Sequence, residues 1–445
     1  MAKIGIRKED KNIWERRVPL VPSMVKRLIA DEGLEVQVQS STNRAFSDEA
    51  YIEAGASVAE DLPDAPVLFA VKEVPIKHLR QKRTYVYFSH VIKGQDYNMP
   101  MLQKLLDLET TLIDYEKIAD DKGRRLVFFG RHAGLAGMID SLSALGQRLA
   151  GEGFDTPLAQ VKMAHQYADL DAAKEDIARI GKLVAEQGLP EGLSPMTVGF
   201  TGYGNVSQGA QEIFDLLPSR QVEPEKLSGL TQDKNKPFIK VVFQEKHMVV
   251  PRDDKAKFEL QDYYQHPEKY RGVFASYVPH LHVLVNCIYW TPDYPRLVTR
   301  DLLHGLYGAG CKPKLRVIGD ISIDIEGAVE CSLKATESGD PIYVYLPAED
   351  RIVSGVEGHG PVIMAVDNLP CELPVESSQD FGKALMPYVA AIANADYDKS
   401  FDALDLPAPI KRAVICHQGK LTPDFEYLYE ILGENQKDST QGGES

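Results

Sequence analysis

Cysteine is scarce and scattered: Cys287, Cys311, Cys331, Cys371 and Cys416 are odd in number, and no CxxC pair occurs among them. That excludes a disulfide framework and a cysteine zinc site, and it fits a reducing compartment, read here as the cytoplasm. No apolar run approaches the length needed to span a bilayer. The opening "MAKIGIRKEDKNIWERR" is charged from its third residue and lacks the apolar core of a secretory signal. Positive charge is in deficit as well: 50 Lys and Arg stand against 65 Asp and Glu, a formal net charge of -15. This argues against a general nucleic-acid or anionic-membrane binder. An anionic substrate stays open, because it responds to the local field of its pocket.

What is present is an ordinary globular composition, 44% apolar and 26% charged, in a chain of 445 residues. That length exceeds what one hydrophobic core usually serves, so two domains are expected. The first part alternates strand and helix signals. "AKIGIR", "EVQVQS", "PVLFAVKEV", "TYVYFSH", "TTLIDYE" and "RRLVFFG" read as strands, with "SMVKRLIADEG" a helix ending at a glycine. Strands separated by helices imply a mostly parallel sheet with helices on both faces. "AGLAGMIDSLSALGQRLAGEG" and "ESSQDFGKALMPYVAAIANAD" are long helices expected to carry the chain between domains. "HVLVNCIYW", "LRVIGDIS" and "PVIMAVDNLP" read as further buried strands, and "ENQKDSTQGGES" as a disordered tail.

The expected fold is therefore α/β, with two Rossmann-like doubly wound domains, an interdomain cleft and two crossing helices. Residues 1–138 with 377–445 form the substrate and catalytic domain. Residues 139–376 form the dinucleotide-binding domain, with 224–270 a polar insertion whose tyrosines, in "LQDYYQHPEKYRG", pack the insertion itself.

"TVGFTGYGNVSQGA" carries the main motif. In G-x-G-x-x-G the first glycine makes the tight turn, the second lets backbone approach a pyrophosphate, and the third allows close helix packing. Gly202 and Gly204 fill the first two places, Asn205 and Val206 follow, and Ser207 stands at the third. Serine is small enough to pack and has a hydroxyl to offer a phosphate. The helix behind the turn aims its first amides at the anion. An acidic residue about twenty positions on should hold the ribose hydroxyls, and Glu223 is there. Glu223 would repel a 2'-phosphate and so favours NAD over NADP.

Ligands of doubly wound sheets gather at the carboxyl ends of strands. Those ends in the first part offer Arg17, Lys72, Glu73, His90, Lys93, Glu116 and Arg125. Taken singly, such groups are usually solvated or hydrogen-bonded in place. Together they point to a dehydrogenase with an anionic substrate. The pair His280 and His282 has no third ligand at a suitable spacing, so no metal is expected. His359, in "EGHGP", is read as a loop residue.

"RKEDKNIWERRVPLVP", "AVKEVP", "YFSHVIKGQ", "LIDYEKIADDKGRRLVFFGRHAGLAGMI", "FTGYGNVSQGAQEIF" and "VDNLPCELPVESSQDFG" together resemble lysine–2-oxoglutarate reductase. This is the L-lysine-forming saccharopine dehydrogenase found in the N-terminal half of bifunctional aminoadipate-semialdehyde synthases. More distantly, the layout is similar to alanine dehydrogenase and the transhydrogenase nucleotide domains. The resemblance implies reductive condensation of lysine with 2-oxoglutarate to saccharopine, or the reverse. Lys72 and His90 would be the acid–base pair, and Arg17, Lys93 and Arg125 would meet the carboxylates. Glu73 and Glu116 would hold an ammonium or tune the lysine. Asp320 would lie near the nicotinamide. The resemblance implies NADPH, as in the bifunctional type, with NAD the alternative. It also implies a separate saccharopine-oxidising partner, since no second enzyme half is seen. Two other functions stay open: an alanine-dehydrogenase-like enzyme using ammonium, and a non-catalytic nucleotide-sensing module.

Overall fold

Short, mostly apolar strand runs belong inside parallel sheets, and the first such sheet holds three of them. In the computed structural model, which describes residues 1–308 and 310–433, the chain forms two units. The first comprises residues 1–129 and the chain from Pro374 on, and the second Gly130–Leu373. The segment "ENQKDSTQGGES" lies outside the described residues. No helix among those described is long and apolar enough to cross a membrane.

The first unit contains β1 (Lys3–Ile6), β2 (Glu35–Gln39), β3 (Ser57–Ala59), β4 (Val67–Phe69), β5 (Thr84–Tyr87) and β6 (Thr111–Asp114). They pair in parallel in the order β3-β2-β1-β4-β5-β6, the doubly wound arrangement of dinucleotide-type sheets. The order reverses between β1 and β4, so the segments leaving these two strands diverge and open a crevice at their carboxyl ends. β4, β5 and β6 are wholly buried. The helix Pro22–Glu32 has Pro at its start and ends on Gly33, whose φ of 64° suits a residue without a β-carbon.

The expected strand "RRLVFFG" does not form. Only Arg125 makes an isolated bridge, to Ala119. Val127 is buried and Phe129 stacks on Phe381 at 4.5 Å, so the segment spends its side chains on packing. The place beside β6 goes to Val414–His417, which runs antiparallel and is followed by the edge strand Lys420–Leu421.

The second unit is built on β7 (Met196–Thr201), β8 (Ser219–Gln221) and β9 (Phe238–Phe243). A small antiparallel pair follows, β10 (Val249–Pro251) and β11 (Tyr270–Gly272). Then come β12 (Val283–Asn286), β13 (Val317–Asp320), β14 (Ile342–Leu346), β15 (Arg351–Ser354) and β16 (Val362–Met364). The sheet order is β15-β14-β16-β13-β12-β7-β9-β8, parallel except for β14 and β15. β9 falls inside the expected polar insertion, yet it pairs with β7 along six residues. The insertion is thus not a decoration throughout, because "FIKVVF" alternates buried and half-buried positions as a true sheet strand does.

The helix Gly130–Gly151 crosses the helix Asn205–Phe214 at glycines. A β-carbon on Gly134 would come 1.9 Å from the Val206 carbonyl oxygen, and one on Gly209 would come 2.1 Å from that of Arg131. Arg131 and Lys174 both ion-pair with Glu212 beside this crossing.

Candidate active site

In the first unit the ionisable residues follow the carboxyl ends of β1, β4, β5 and β6. Glu15 and Arg17 form a buried pair: Arg17 Nε and Nη2 donate to the two carboxylate oxygens at 2.7 and 2.5 Å. The guanidinium lies over the Phe129 ring, 4.2 Å from its centroid. Such a pair costs desolvation, which bidentate geometry and the aromatic face offset. Below it Phe88, Tyr115, Phe129 and Phe381 form one aromatic cluster.

Lys72 and Glu73 follow β4. Burial lowers the Lys72 pKa first, and the positive charge of Arg17 lowers it further, while Glu15 opposes. Both effects favour a neutral amine. Glu73 accepts a 2.5 Å hydrogen bond from His90 Nδ1, and Lys11 stands 3.3 Å from its other oxygen. Burial alone would raise the Glu73 carboxyl, but the His90 hydrogen bond and charge, with Lys11, bring it down to about 2. An ionised Glu73 fixes the Nδ1 proton of His90 and leaves Nε2 for proton transfer.

His90 sits just past β5 with a φ of 52°, the left-handed region that is uncommon for residues other than glycine. Its neighbours hold it there. The Ser89 amide and hydroxyl donate to buried Asp114, and the Asn98 side-chain amide donates to the Ser89 and His90 carbonyls. Phe88 stacks beside the ring, 6.4 Å between centroids.

The structure therefore joins Glu73 and His90 directly and places Lys72 within the field of Arg17. Glu116 and Arg125 form a looser pair at 3.9 Å, with Arg125 half-exposed above the Phe88 ring. Lys93 is exposed. Glu9 was missed: it is buried, and its carboxylate accepts the amides of Val71 and Lys72. The only signal for it is its place just past β1, among four other charged residues.

In the second unit the glycine turn follows β7, as expected. Gly202 has a φ of 80°, which a side chain would strain. Its amide donates to the Phe243 carbonyl. Gly204 is the N-cap of the helix Asn205–Phe214, with no side-chain cap, and no atom lies within 4 Å of where its β-carbon would stand. The opening amides of Asn205 and Val206 thus start a helix whose end is bare of protein caps, a fit for phosphate. Ser207 is fully buried, with its hydroxyl engaged by Gln211 and Cys287 rather than turned to a ligand. Close helix packing is provided two residues later, by Gly209.

Glu223 is displaced from its expected role. It follows β8, the edge strand, and β9 separates that strand from β7. It is exposed and groups with Glu225 and His247, all three offering ligand atoms within 4.8 Å of one another. His247 Nδ1 accepts the Gln244 amide, so the ring proton resides on Nε2, the atom facing Glu225. The acidic residue at the end of the strand next to β7 is Glu245, which the sequence reading missed. Tyr264 donates to it at 2.6 Å, and Tyr203 also hydrogen-bonds it.

Glu245 lines a cavity of about 400 Å³ with Gly202, Gly204, Tyr264, Cys287 and Ile288. This cavity lies at the carboxyl ends of β7 and β12, where the sheet order reverses and dinucleotides bind in such sheets. Tyr263 and Tyr264 face it, whereas Tyr270 packs against Tyr263. Asp320 is buried at the end of β13, where it accepts from Asn286 at 2.8 Å and Ser332 at 2.5 Å. Burial pushes its carboxyl up to about 6. It ties strand ends together, with Thr201 bonded to Asn286 in turn.

Two such sheets, one with a glycine turn and bare helix end, define a two-domain dehydrogenase-type α/β fold. The alanine dehydrogenase/PNT N-terminal domain matches residues 5–136, and the alanine dehydrogenase/PNT C-terminal domain matches residues 268–424. The two domain models match in order, one toward each end of the chain. Among solved structures, L-alanine dehydrogenase shares the fold with a TM-score of 0.60 and 19% identity, covering 97% of this chain and 99% of that one. The transhydrogenase from Sinorhizobium meliloti has a TM-score of 0.56 and 16% identity over 94% of this chain and 100% of that one.

The chain is also a homologue of the alpha-aminoadipic semialdehyde synthases. It is 38% identical to that of Arabidopsis thaliana over 98% of this chain and 42% of the relative. To the mitochondrial synthase of Bos taurus it is 37% identical over 98% of this chain and 48% of the relative. The chain spans somewhat under half the length of these relatives. It is also 26% identical to the NAD(+), L-lysine-forming saccharopine dehydrogenase of Emericella nidulans, over 86% of this chain and 90% of that enzyme.

Proposed function

We propose that the chain is a nicotinamide-dependent oxidoreductase that condenses L-lysine with 2-oxoglutarate and reduces the product to saccharopine, or runs the reverse. The observation that carries this reading is the set Lys72, Glu73 and His90, an amine shifted toward neutrality beside a histidine with one nitrogen already committed. The names and extent of the synthase and saccharopine dehydrogenase relatives support it.

The chemistry asks for what these residues offer. The ε-ammonium of lysine must lose a proton before its nitrogen attacks the keto carbon. Lys72 takes that proton, since burial and Arg17 favour its neutral form. The keto oxygen, now a hydroxyl, leaves as water once protonated, and His90 Nε2 supplies that proton while Glu73 stabilises the imidazolium. A nicotinamide cofactor, when bound, supplies the hydride for the C=N carbon. Arg125 and Lys93, both exposed cations, meet the substrate carboxylates, and Arg17 adds positive charge from below.

We read the cofactor as NAD. Glu245, at the end of the strand next to β7, is suited to ribose hydroxyls and repels a 2'-phosphate, against the NADPH that the sequence resemblance implied. Gly202, Gly204, Asn205 and Val206 would hold the pyrophosphate. Five free cysteines support a reducing compartment, which we read as the cytoplasm. Saccharopine as product calls for an oxidising activity that consumes it as metabolic neighbour.

A steady-state assay with lysine, 2-oxoglutarate and NADH tests the reading. Oxidation of NADH that requires lysine and ignores ammonium is the expected result. Turnover with ammonium in place of lysine would favour the alanine-dehydrogenase type of reaction, and no turnover with either would remove the substrate assignment.

A further inference from the structure

We propose that Glu9 is a positioning residue for Lys72: its carboxylate clamps the consecutive amides of Val71 and Lys72 and thereby sets where the Lys72 amine stands. The inference rests on the assignment of Lys72 as the acid–base group in the reading above.

β1 and β4 pair in parallel through Ile6 and Phe69, and the Arg7 amide still bonds the Phe69 carbonyl at 2.9 Å. There the ladder stops, because the two chains diverge at the crevice. The Ala70 amide finds the Val86 carbonyl of β5, but the next two amides have no strand to meet. Buried amides left without acceptors are costly. Glu9 reaches across from the end of β1 and accepts both, Val71 on Oε1 at 2.7 Å and Lys72 on Oε2 at 3.0 Å. Two adjacent N–H donors call for two acceptor oxygens on one group. A glutamine would turn its own N–H2 toward one of them.

The clamp acts on a short lever. Lys72 Cα is one bond from the clamped nitrogen, so the start of the side chain is fixed while the amine stays deep and close to Arg17. The field at the amine depends on that placement, since Arg17, Glu15, Lys11 and Glu73 all act on it. The groups facing Glu9 itself are Arg7 from the end of β1, Glu15, and the Tyr115 side chain that follows β6. Burial and Glu15 push the Glu9 carboxyl up to about 7, while the two amides and Arg7 pull it down. An apolar residue would avoid that cost and leave both amides orphaned. An acid at this place fits a position that must hold the backbone of Lys72.

The test uses the full chain with Glu9→Gln and Glu9→Asp, the second too short to span both amides. Acetylation by acetic anhydride across a pH series, read by peptide mass spectrometry, gives the midpoint of Lys72 directly, with exposed Lys383 as control. Loss of the clamp is expected to move the Lys72 midpoint upward toward that of free lysine by about 0.5 pH unit or more, with Lys383 unchanged. In the lysine and 2-oxoglutarate assay, kcat should fall about tenfold or more with little change in KM, and its pH limb should move the same way. A folded Glu9→Gln chain with the wild-type Lys72 midpoint would overturn the proposal. So would failure of both variants to fold, which would leave Glu9 a purely structural group. Absence of wild-type turnover would strike the substrate reading alone, since the acetylation profile still decides the role of Glu9.

Discussion

Replacing Glu245 with glutamine tests the cofactor assignment at one atom pair. Glu245 is half-buried, held by Tyr203 and Tyr264, and faces the cavity beside Gly202 and Gly204. A 2'-phosphate bound there would carry a charge of about -1.5 to -2. At a separation of about 5 Å and an effective dielectric of about 40, the repulsion comes to about 3 kcal/mol, roughly a hundredfold in affinity. Physiological salt screens part of that, so a change of about tenfold to a hundredfold is expected in the ratio of NADH to NADPH affinity. Glutamine keeps the shape and one acceptor for a ribose hydroxyl, so NADH binding should weaken little while NADPH binding improves. Arginine at the same position should reverse the preference. Titration of the fluorescence of each reduced cofactor measures this without any substrate. A ratio unchanged in Glu245→Gln, or a wild-type chain that binds NADPH more tightly, would refute the reasoning.

Three further outcomes follow from other parts of the structure. Lys72→Met and His90→Gln should each reduce turnover by about 10²-fold or more while NADH affinity stays near that of wild type, checked by steady-state kinetics beside the same titration. Gly209→Val should lower the melting temperature, because its β-carbon would meet the Arg131 carbonyl oxygen at 2.1 Å and overpacking costs about 1–3 kcal/mol. Glu73 is held at about 2 against an ordinary 4.5. A lowered carboxyl stabilises the fold fully above pH 4.5, by about 3 kcal/mol, and loses that contribution as pH falls toward 2. The difference in melting temperature between wild type and Glu73→Gln should accordingly be large at pH 6 and shrink at pH 3.

The strands of the first unit were legible because interior parallel strands are mostly apolar and buried throughout, as "VLF", "TYVY" and "TLID" are. "RRLVFFG" has the same look but spends Val127 and Phe129 on aromatic and core packing, a choice that only the tertiary partner Phe381 decides. Lys72, Glu73 and His90 could be read from strand ends. Glu9 could not, since "RKED" gives no sign of which of its charges is buried. Glu245 escaped for a topological reason. The usual spacing assumes that the chain proceeds from the first strand to its neighbour, whereas here it visits the edge strand β8 before returning to β9.

That detour has a consequence for how the cofactor end of the second unit tolerates motion. Edge strands fray first, because one side of their ladder is open to water. β8 takes that place, so β9 keeps hydrogen-bonded neighbours on both sides over residues 238–240, and β7 alone beyond. Amide exchange at Arg220 or Gln221 can therefore be fast while Ile239 and Lys240 stay protected. The carboxylate proposed to sort cofactors follows this strand by two residues, away from the frayed edge. Its chemistry can be exchanged by mutation without loosening the mount.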